Sequence, residues 1–220
     1  MKFAVIGGTG FEKLRVNAFF IPRHGRNHTI PPHLINHREN VEKCKSKGCE
    51  AVLSTASVGI IKKYHPGDLI VMRDFISFYS DTPTVFNKKG GNFNEIHKDF
   101  SNPFPLADEI IEAAEERGIM VRDGGVIAHT KGPRLETKAE IEALGRLGAN
   151  VVGMTCVPEA ILVREMDMLY GCVAVGCNYA CGIKDEPIRF DEIMRAAEEK
   201  QPGICEIFNA VISKFSSSKR

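Results

Sequence analysis

The chain has 220 residues, 43% of them hydrophobic and 26% charged, which is the balance of a globular protein with a buried core. A formal net charge of +1 argues against nucleic acid or an anionic membrane surface as a partner. The apolar runs fall far short of the roughly 20 residues that span a bilayer, and the start Met1-Lys2 lacks a signal-peptide pattern, so the expectation is a cytoplasmic protein.

Residues 2–6 form a short apolar run that ends in Gly7-Gly8-Thr9-Gly10, the pattern of a buried first strand entering a tight turn. A second apolar run covers Phe19-Phe20-Ile21. Alternating charges over 38–47 predict an exposed helix closed by Gly48. Ala51-Val52-Leu53 starts a buried strand that ends in the small residues Ser54–Ser57. Pro66-Gly67-Asp68 reads as a turn and 69–72 as a strand. From Phe75 to Pro105 there is no period, which predicts a long functional loop. A helix follows over 105–117 with Gly118 as its C-cap, then a strand over 119–128, a helix over 136–147 and a strand over 150–154. The remainder reads as a helix over 157–168, a strand over 171–177, and two helices near 190–199 and 202–215. Strands alternating with helices imply an α/β domain spanning 1–220. The seven cysteines include no CxxC pair, and Cys177 and Cys181 have no second pair or histidine to complete a tetrahedral set. They are read as reduced core thiols, with no metal.

In such folds, polar and small residues at strand ends line the ligand crevice. The turn at 7–10 brings backbone amides and the Thr9 hydroxyl within reach of an anion, but it lacks the spacing of a dinucleotide fold and the lysine of a Walker loop. Arg23-His24-Gly25-Arg26-Asn27-His28 would be costly to bury without an anion, and guanidinium forks suit phosphate oxygens. The plain alternative is a solvated basic loop. Ser54-Thr55-Ala56-Ser57-Val58-Gly59 offers hydroxyls and amides. Val152–Glu159 passes from strand to helix, and a helix N-terminus attracts anions. One phosphate is the simplest common occupant of the four segments.

GGTG at 7–10, RHGRNHTIPP at 23–32, PGD at 66–68, GPRLETKAE at 132–140 and GMTCVPE at 153–159 together resemble the methylthioadenosine phosphorylase branch of the purine nucleoside phosphorylases. The resemblance covers most of the chain. It implies a mixed, partly closed central sheet flanked by helices, a homotrimer or dimer of trimers, and phosphorolysis with inorganic phosphate as co-substrate and no metal or organic cofactor. It assigns Thr9, Arg23, His24, Thr55, Ala56 and Thr155 to phosphate and Met154 to the ribose face. It also places His97 at the sugar end of a neighbouring subunit's site. Leu135 stands where many relatives carry a phenylalanine that stacks on the base.

Adenine-specific relatives have aspartates at the positions of Asn178 and Ala180. Asn178 can instead donate to a 6-oxo group while accepting from protonated N7, which matches hypoxanthine or guanine and makes Asn178 the catalytic candidate that holds the leaving base. The alternative is that it only ties up backbone at a strand end. Phe190 and Ile193, three residues apart on one helix face, match an apolar pocket for a 5′-methylthio group, although such a pair is equally a core feature. The combination gives S-methyl-5′-thioinosine as the favoured purine nucleoside, yielding hypoxanthine and 5-methylthioribose 1-phosphate. Inosine, guanosine or methylthioadenosine are the alternatives. Only thirteen residues separate Thr9 from Arg23, fewer than in relatives, which keeps a degraded nucleoside-binding paralogue open. A nucleosidase using water would want a carboxylic acid where Asn178 and Ala180 stand.

Overall fold

The computed structural model describes residues 1–78, 83–86 and 93–217. Its elements in chain order are β1 (Phe3–Gly7), β2 (Phe19–Pro22), α1 (His37–Ser46), β3 (Ala51–Ile60), β4 (Leu69–Ile76) and the one-turn α2 (Phe93–Ile96). They continue with α3 (Ala107–Glu116), β5 (Arg122–His129), α4 (Lys138–Arg146), β6 (Val151–Gly153), α5 (Cys156–Glu165), β7 (Leu169–Tyr179) and α6 (Phe190–Ser217).

The strands pair in the order β2-β1-β3-β6-β5-β4-β7, and β7 pairs back onto β3. The ring β3-β6-β5-β4-β7 is therefore closed, with β1 and β2 as a parallel extension on β3. The sheet is mixed, as the sequence resemblance implied. β3 runs parallel to β1 and β7 but antiparallel to β6, which meets only its far end at Gly59 and Ile60. Gly171 lets α3 pack closely on β7, because a side chain there would collide with Leu106 and Ile110.

One core lies under α1 and α5 and includes Val41, Val52, Ile60, Ala160 and Val163. The other lies under α3 and α6 and includes Leu53, Val71, Ile110, Ile204 and Phe208. Each of the larger side chains here contributes about 1.5–3 kcal/mol by leaving water. Local signals fix the ends of two helices. Asn36 caps α1 by accepting from the Glu39 amide, and Thr137 with Glu140 forms a reciprocal capping box on α4.

Three elements differ from the sequence reading. β3 does not end in the small residues Ser54–Ser57 but continues through them to Ile60, because β7 accompanies it along its whole length. β4 reaches Ile76 and so takes in the start of the expected loop, of which residues 79–82 and 87–92 lie outside the described residues. The two C-terminal helices are one. Pro202 forfeits a single amide donor, while Ile193, Ala197, Ile204, Phe208 and Val211 keep one apolar face against the sheet on both sides of it.

Candidate active site

The C-terminal ends of the parallel strands β1, β2, β3 and β7 face the same way, and β6 enters against the end of β3 from the opposite direction. Where these ends meet there is a cavity of about 250 Å³. Thr9 after β1, Arg23 and His24 after β2, Ser57 of β3, Met154 and Thr155 after β6, and Asn178 and Ala180 at the end of β7 all line it. Leu135, Phe190 and Ile193 complete an apolar side together with Ile188. Residues from the ends of five strands thus share one cavity.

The basic cluster resolves into distinct parts. Arg26 and Asn27 are exposed, whereas Arg23 is 1% exposed and His24 2% exposed. The anion that allows Arg23 to be buried comes from the chain itself. Arg23 Nε donates to Glu159 Oε1 at 2.5 Å and Nη2 donates to Oε2 at 2.8 Å, in a bidentate pair with Glu159 0% exposed. Nη2 also donates to Ser54 Oγ and Nη1 to the Thr55 carbonyl. Of the five guanidinium donors, one N–H on Nη1 remains. Ser54 Oγ and the Tyr170 hydroxyl both donate to Glu159 Oε2, and His37 Nδ1 stands 3.7 Å from Oε1. Burial alone would raise the Glu159 pKa, but Arg23 overrides it and holds the carboxyl well below the usual range. The Arg23 charge is correspondingly locked on, since Glu159 outweighs burial.

The third strand end also changes role. Thr55 does not reach the cavity. It is fully buried, and its Oγ1 accepts from the Gly8 amide at 2.9 Å. That bond also takes the Gly8 N–H away from any anion, and Gly8 itself has no room for a side chain because Arg23 Nη1 packs against it. Ala56 points into the core under α1 and α5 rather than into the cavity. Ser57, the next residue, lines the cavity instead and donates to the Thr9 carbonyl at 3.0 Å. Alternation sends Ala56 to the opposite face, whereas Thr55 shares the face of Ser57 and is kept from the cavity because Gly8 and Arg23 cover it.

Burial, and then the Arg23 charge, lowers the His24 pKa to about 4, so the ring is neutral at physiological pH. Thr155 precedes α5 without capping it through its hydroxyl, which leaves that group to the cavity, and the amide end of the helix lies just behind. Asn178 owes its direction to a bulge. The β3–β7 register slips between Val58 and Gly59, so Gly59 pairs with Asn178 and Cys177 is passed over. Its Nδ2 donates one hydrogen to the Tyr179 carbonyl at 2.8 Å. One N–H and the side-chain carbonyl remain.

Sequence reasoning missed two residues. Glu159 was taken only as part of a motif, although a lone acid among the apolar residues of 156–163 signals a buried charge that needs a partner. Glu136 is buried and lines the cavity near Asn178's neighbours Ala180 and Cys181. Thr130 Oγ1 donates to its Oε1 at 2.5 Å, and Oε2 makes no hydrogen bond among the described residues. His97 follows α2, is exposed, and does not line this chain's cavity. Among the described residues there is no cluster of three or more metal-ligating side chains.

A single cavity lined by hydroxyls, an amide and a carboxylate beside a helix N-terminus, built on a partly closed mixed sheet, suits a nucleoside-cleaving transferase. The chain belongs to the phosphorylase superfamily, whose sequence model matches residues 5–213. It is 36% identical over 235 residues to a "Probable S-methyl-5′-thioinosine phosphorylase" of Methanopyrus kandleri, covering 94% of this chain and 90% of the relative. It is 35% identical over 222 residues to the 6-oxopurine nucleoside phosphorylase of Pyrococcus furiosus, covering 98% of this chain and 82% of the relative. The fold matches that of methylthioadenosine phosphorylase from Schistosoma mansoni in complex with adenine. That match has a TM-score of 0.88 over 99% of this chain and 92% of the other, at 23% identity.

Proposed function

We propose that the protein is a purine nucleoside phosphorylase that cleaves 6-oxopurine nucleosides, with S-methyl-5′-thioinosine as its favoured substrate and hypoxanthine and 5-methylthioribose 1-phosphate as products. The observation that carries this reading is that Asn178 and Glu136 open on the same cavity as Thr9, His24 and Thr155. A 6-oxopurine presents O6 as an acceptor and N1–H as a donor. Asn178's remaining N–H fits O6, its carbonyl fits protonated N7, and Glu136 fits N1–H. Adenine reverses both the first and the last of these groups, which would leave buried partners unmatched at about 1–3 kcal/mol each.

At the other end the Thr9 and Thr155 hydroxyls, the last Arg23 N–H and His24 surround the phosphate, and Met154 covers the ribose. Thr55 supports this end from behind by holding Gly8 and Arg23. The bond from C1′ to the base nitrogen breaks and a bond from a phosphate oxygen to C1′ forms. The proton that hydrogen phosphate loses equals, in count, the one the released base gains. Asn178 stabilises the negative charge that develops on the base, and juxtaposition of phosphate and C1′ supplies much of the remainder. The reaction draws on no metal or organic cofactor. Ile188, Phe190 and Ile193 make the sugar's 5′ end apolar, which favours methylthio over hydroxyl. We further assign the chain to a homotrimer or dimer of trimers acting in cytoplasmic purine salvage, with His97 serving the sugar end of a neighbouring copy's site.

The test is release of free base from S-methyl-5′-thioinosine, inosine, guanosine and methylthioadenosine, each with and without phosphate. Phosphate-dependent release of hypoxanthine, fastest from the methylthio substrate, is expected. Faster release of adenine would overturn the reading of Asn178 and Glu136. No turnover of any of the four would favour a binding protein.

A further inference from the structure

One stripe of α6 touches two parts of the site. Phe190 and Ile193, at the start of the helix, line the apolar side of the cavity. Ala197 and Gln201 follow at steps of four residues on the same face, and both meet the turn after β1. Gly10 in that turn has a φ of 79°, and a side chain there would come within 2.5 Å of the Ala197 Cβ and 3.3 Å of the Met194 carbonyl. The helix therefore packs directly on the backbone of the turn. Gln201 Nε2 donates to the Gly10 carbonyl, across 191 positions of chain, while Gln201 itself does not line the cavity.

The other ties on this turn come from β3 or from the turn's own neighbourhood. Thr55 Oγ1 accepts from the Gly8 amide at 2.9 Å, Ser57 Oγ donates to the Thr9 carbonyl at 3.0 Å, and the Phe11 amide closes on the Gly8 carbonyl at 2.9 Å. Thr9, whose Oγ1 is hydrogen-bonded to His24 Nε2 at 3.4 Å, thus sits between the β3 ties on one side and the α6 tie on the other. Gln201 lies eight residues beyond Ile193, about 12 Å along the helix. One rigid element therefore spaces the sugar wall from the Thr9 turn.

We propose that Gln201 is a positioning residue for the phosphate co-substrate: by fixing the Gly10 carbonyl to α6 it holds Thr9 in place, at the separation from the sugar that the helix sets. This rests on the phosphorylase reading and goes beyond it. Gly10 has no side chain to restrain it, so without the Gln201 amide its carbonyl is untied and the Thr9 turn gains freedom. Part of the phosphate-binding free energy then goes into ordering the turn. The sugar wall is unaffected, because Phe190 packs on His28 and Ile193 on the core under α3 and α6.

The experiment is steady-state phosphorolysis of S-methyl-5′-thioinosine by wild type, Gln201→Met, Gln201→Glu, Thr9→Val and the double variant Thr9→Val with Gln201→Met. Phosphate is varied at saturating nucleoside, and the nucleoside at saturating phosphate. Gln201→Met keeps the length and removes the donor, and should raise KM for phosphate about tenfold, the scale of one lost hydrogen bond, with KM for the nucleoside unchanged. Gln201→Glu keeps the shape without a hydrogen to donate and should raise it at least as much. A merely structural role would reduce the amount of active enzyme, which lowers kcat and leaves both KM values alone. The double variant should be no worse for phosphate than Thr9→Val, since Gln201 acts through that residue. An unchanged phosphate KM in both Gln201 variants, an equal rise in the two KM values, or additive losses in the double variant would each overturn the proposal. If wild type releases base only with phosphate while the Gln201 variants match it, this inference alone falls. If wild type shows no phosphate-dependent release, the functional reading falls and takes this inference with it.

Discussion

Replacing Glu159 with glutamine isolates the interaction on which the anion end of the cavity is built. Glu159 accepts four hydrogen bonds, from Arg23 Nε and Nη2, Ser54 Oγ and Tyr170, and all of these groups are buried. Glutamine keeps the shape but offers one acceptor oxygen and one NH₂. With the NH₂ in the place of Oε2 it faces three groups that were donating, and in the place of Oε1 it faces Arg23 Nε at 2.5 Å. Either way the Arg23 charge loses its counterion in a buried site. Removing one partner of a buried ion pair costs about 3–5 kcal/mol, a large share of the about 5–15 kcal/mol that holds a domain folded. In urea, with a slope of about 3 kcal/mol per molar, the midpoint should fall by about 1 M or more at unchanged slope. The paired replacement Arg23→Met with Glu159→Met should recover most of that stability, because apolar groups of similar volume substitute well for a buried pair. It should not recover phosphorolysis, because the guanidinium is gone. A loss of less than about 1 kcal/mol in Glu159→Gln would refute the claim that Arg23 depends on this carboxylate.

Three further outcomes follow from single groups. His24 has a folded-state pKa near 4 against an unfolded value near 6.5, so between these values the unfolded chain binds the extra proton. Its contribution is complete above pH 6.5 and should be lost as pH falls towards 4, by up to about 3 kcal/mol, a pH dependence of unfolding that His24→Gln should lack. Asn178→Asp should shift preference from 6-oxo towards 6-amino nucleosides by about tenfold or more, read as the ratio of kcat/KM for S-methyl-5′-thioinosine and methylthioadenosine. An unchanged ratio would remove Asn178 from base recognition. Thr137→Ala removes the α4 capping box and should cost about 1 kcal/mol in denaturant unfolding, with base preference unchanged.

Much of the fold could be read from local pattern. The apolar runs at 3–6, 51–53 and 69–72 became strands, and the helices over 107–116 and 138–146 lie where period and capping residues put them. The misreadings arose where a distant partner decides. Ser54-Thr55-Ala56-Ser57 has no strong strand propensity, and only β7 alongside it makes that stretch a strand. Pro202 is locally a helix breaker, but the apolar face of α6 is buried on both sides of it, and that burial outweighs one missing hydrogen bond. Neither fact can be seen within a window of the sequence.

The site divides along the same line. That Thr9, His24, Met154, Thr155, Asn178 and Ala180 line one cavity was legible because a strand end points into the crevice whatever its neighbours do. Register and pairing were not. A single step along β3 sets Ala56 apart from Ser57, and the cover that Gly8 and Arg23 give Thr55 leaves Ser57 as the residue of the three that lines the cavity, which differs from the sequence assignment. Arg23 looked like a free cation awaiting phosphate because its partner lies 136 positions away, in a helix that otherwise reads as core. The pairing changes what Arg23 can do. With four donor bonds already made, Arg23 keeps one N–H, on Nη1, rather than an open fork. On the proposed reading, phosphate would meet several single, preset groups, from Arg23, Thr9, Thr155 and the neutral His24.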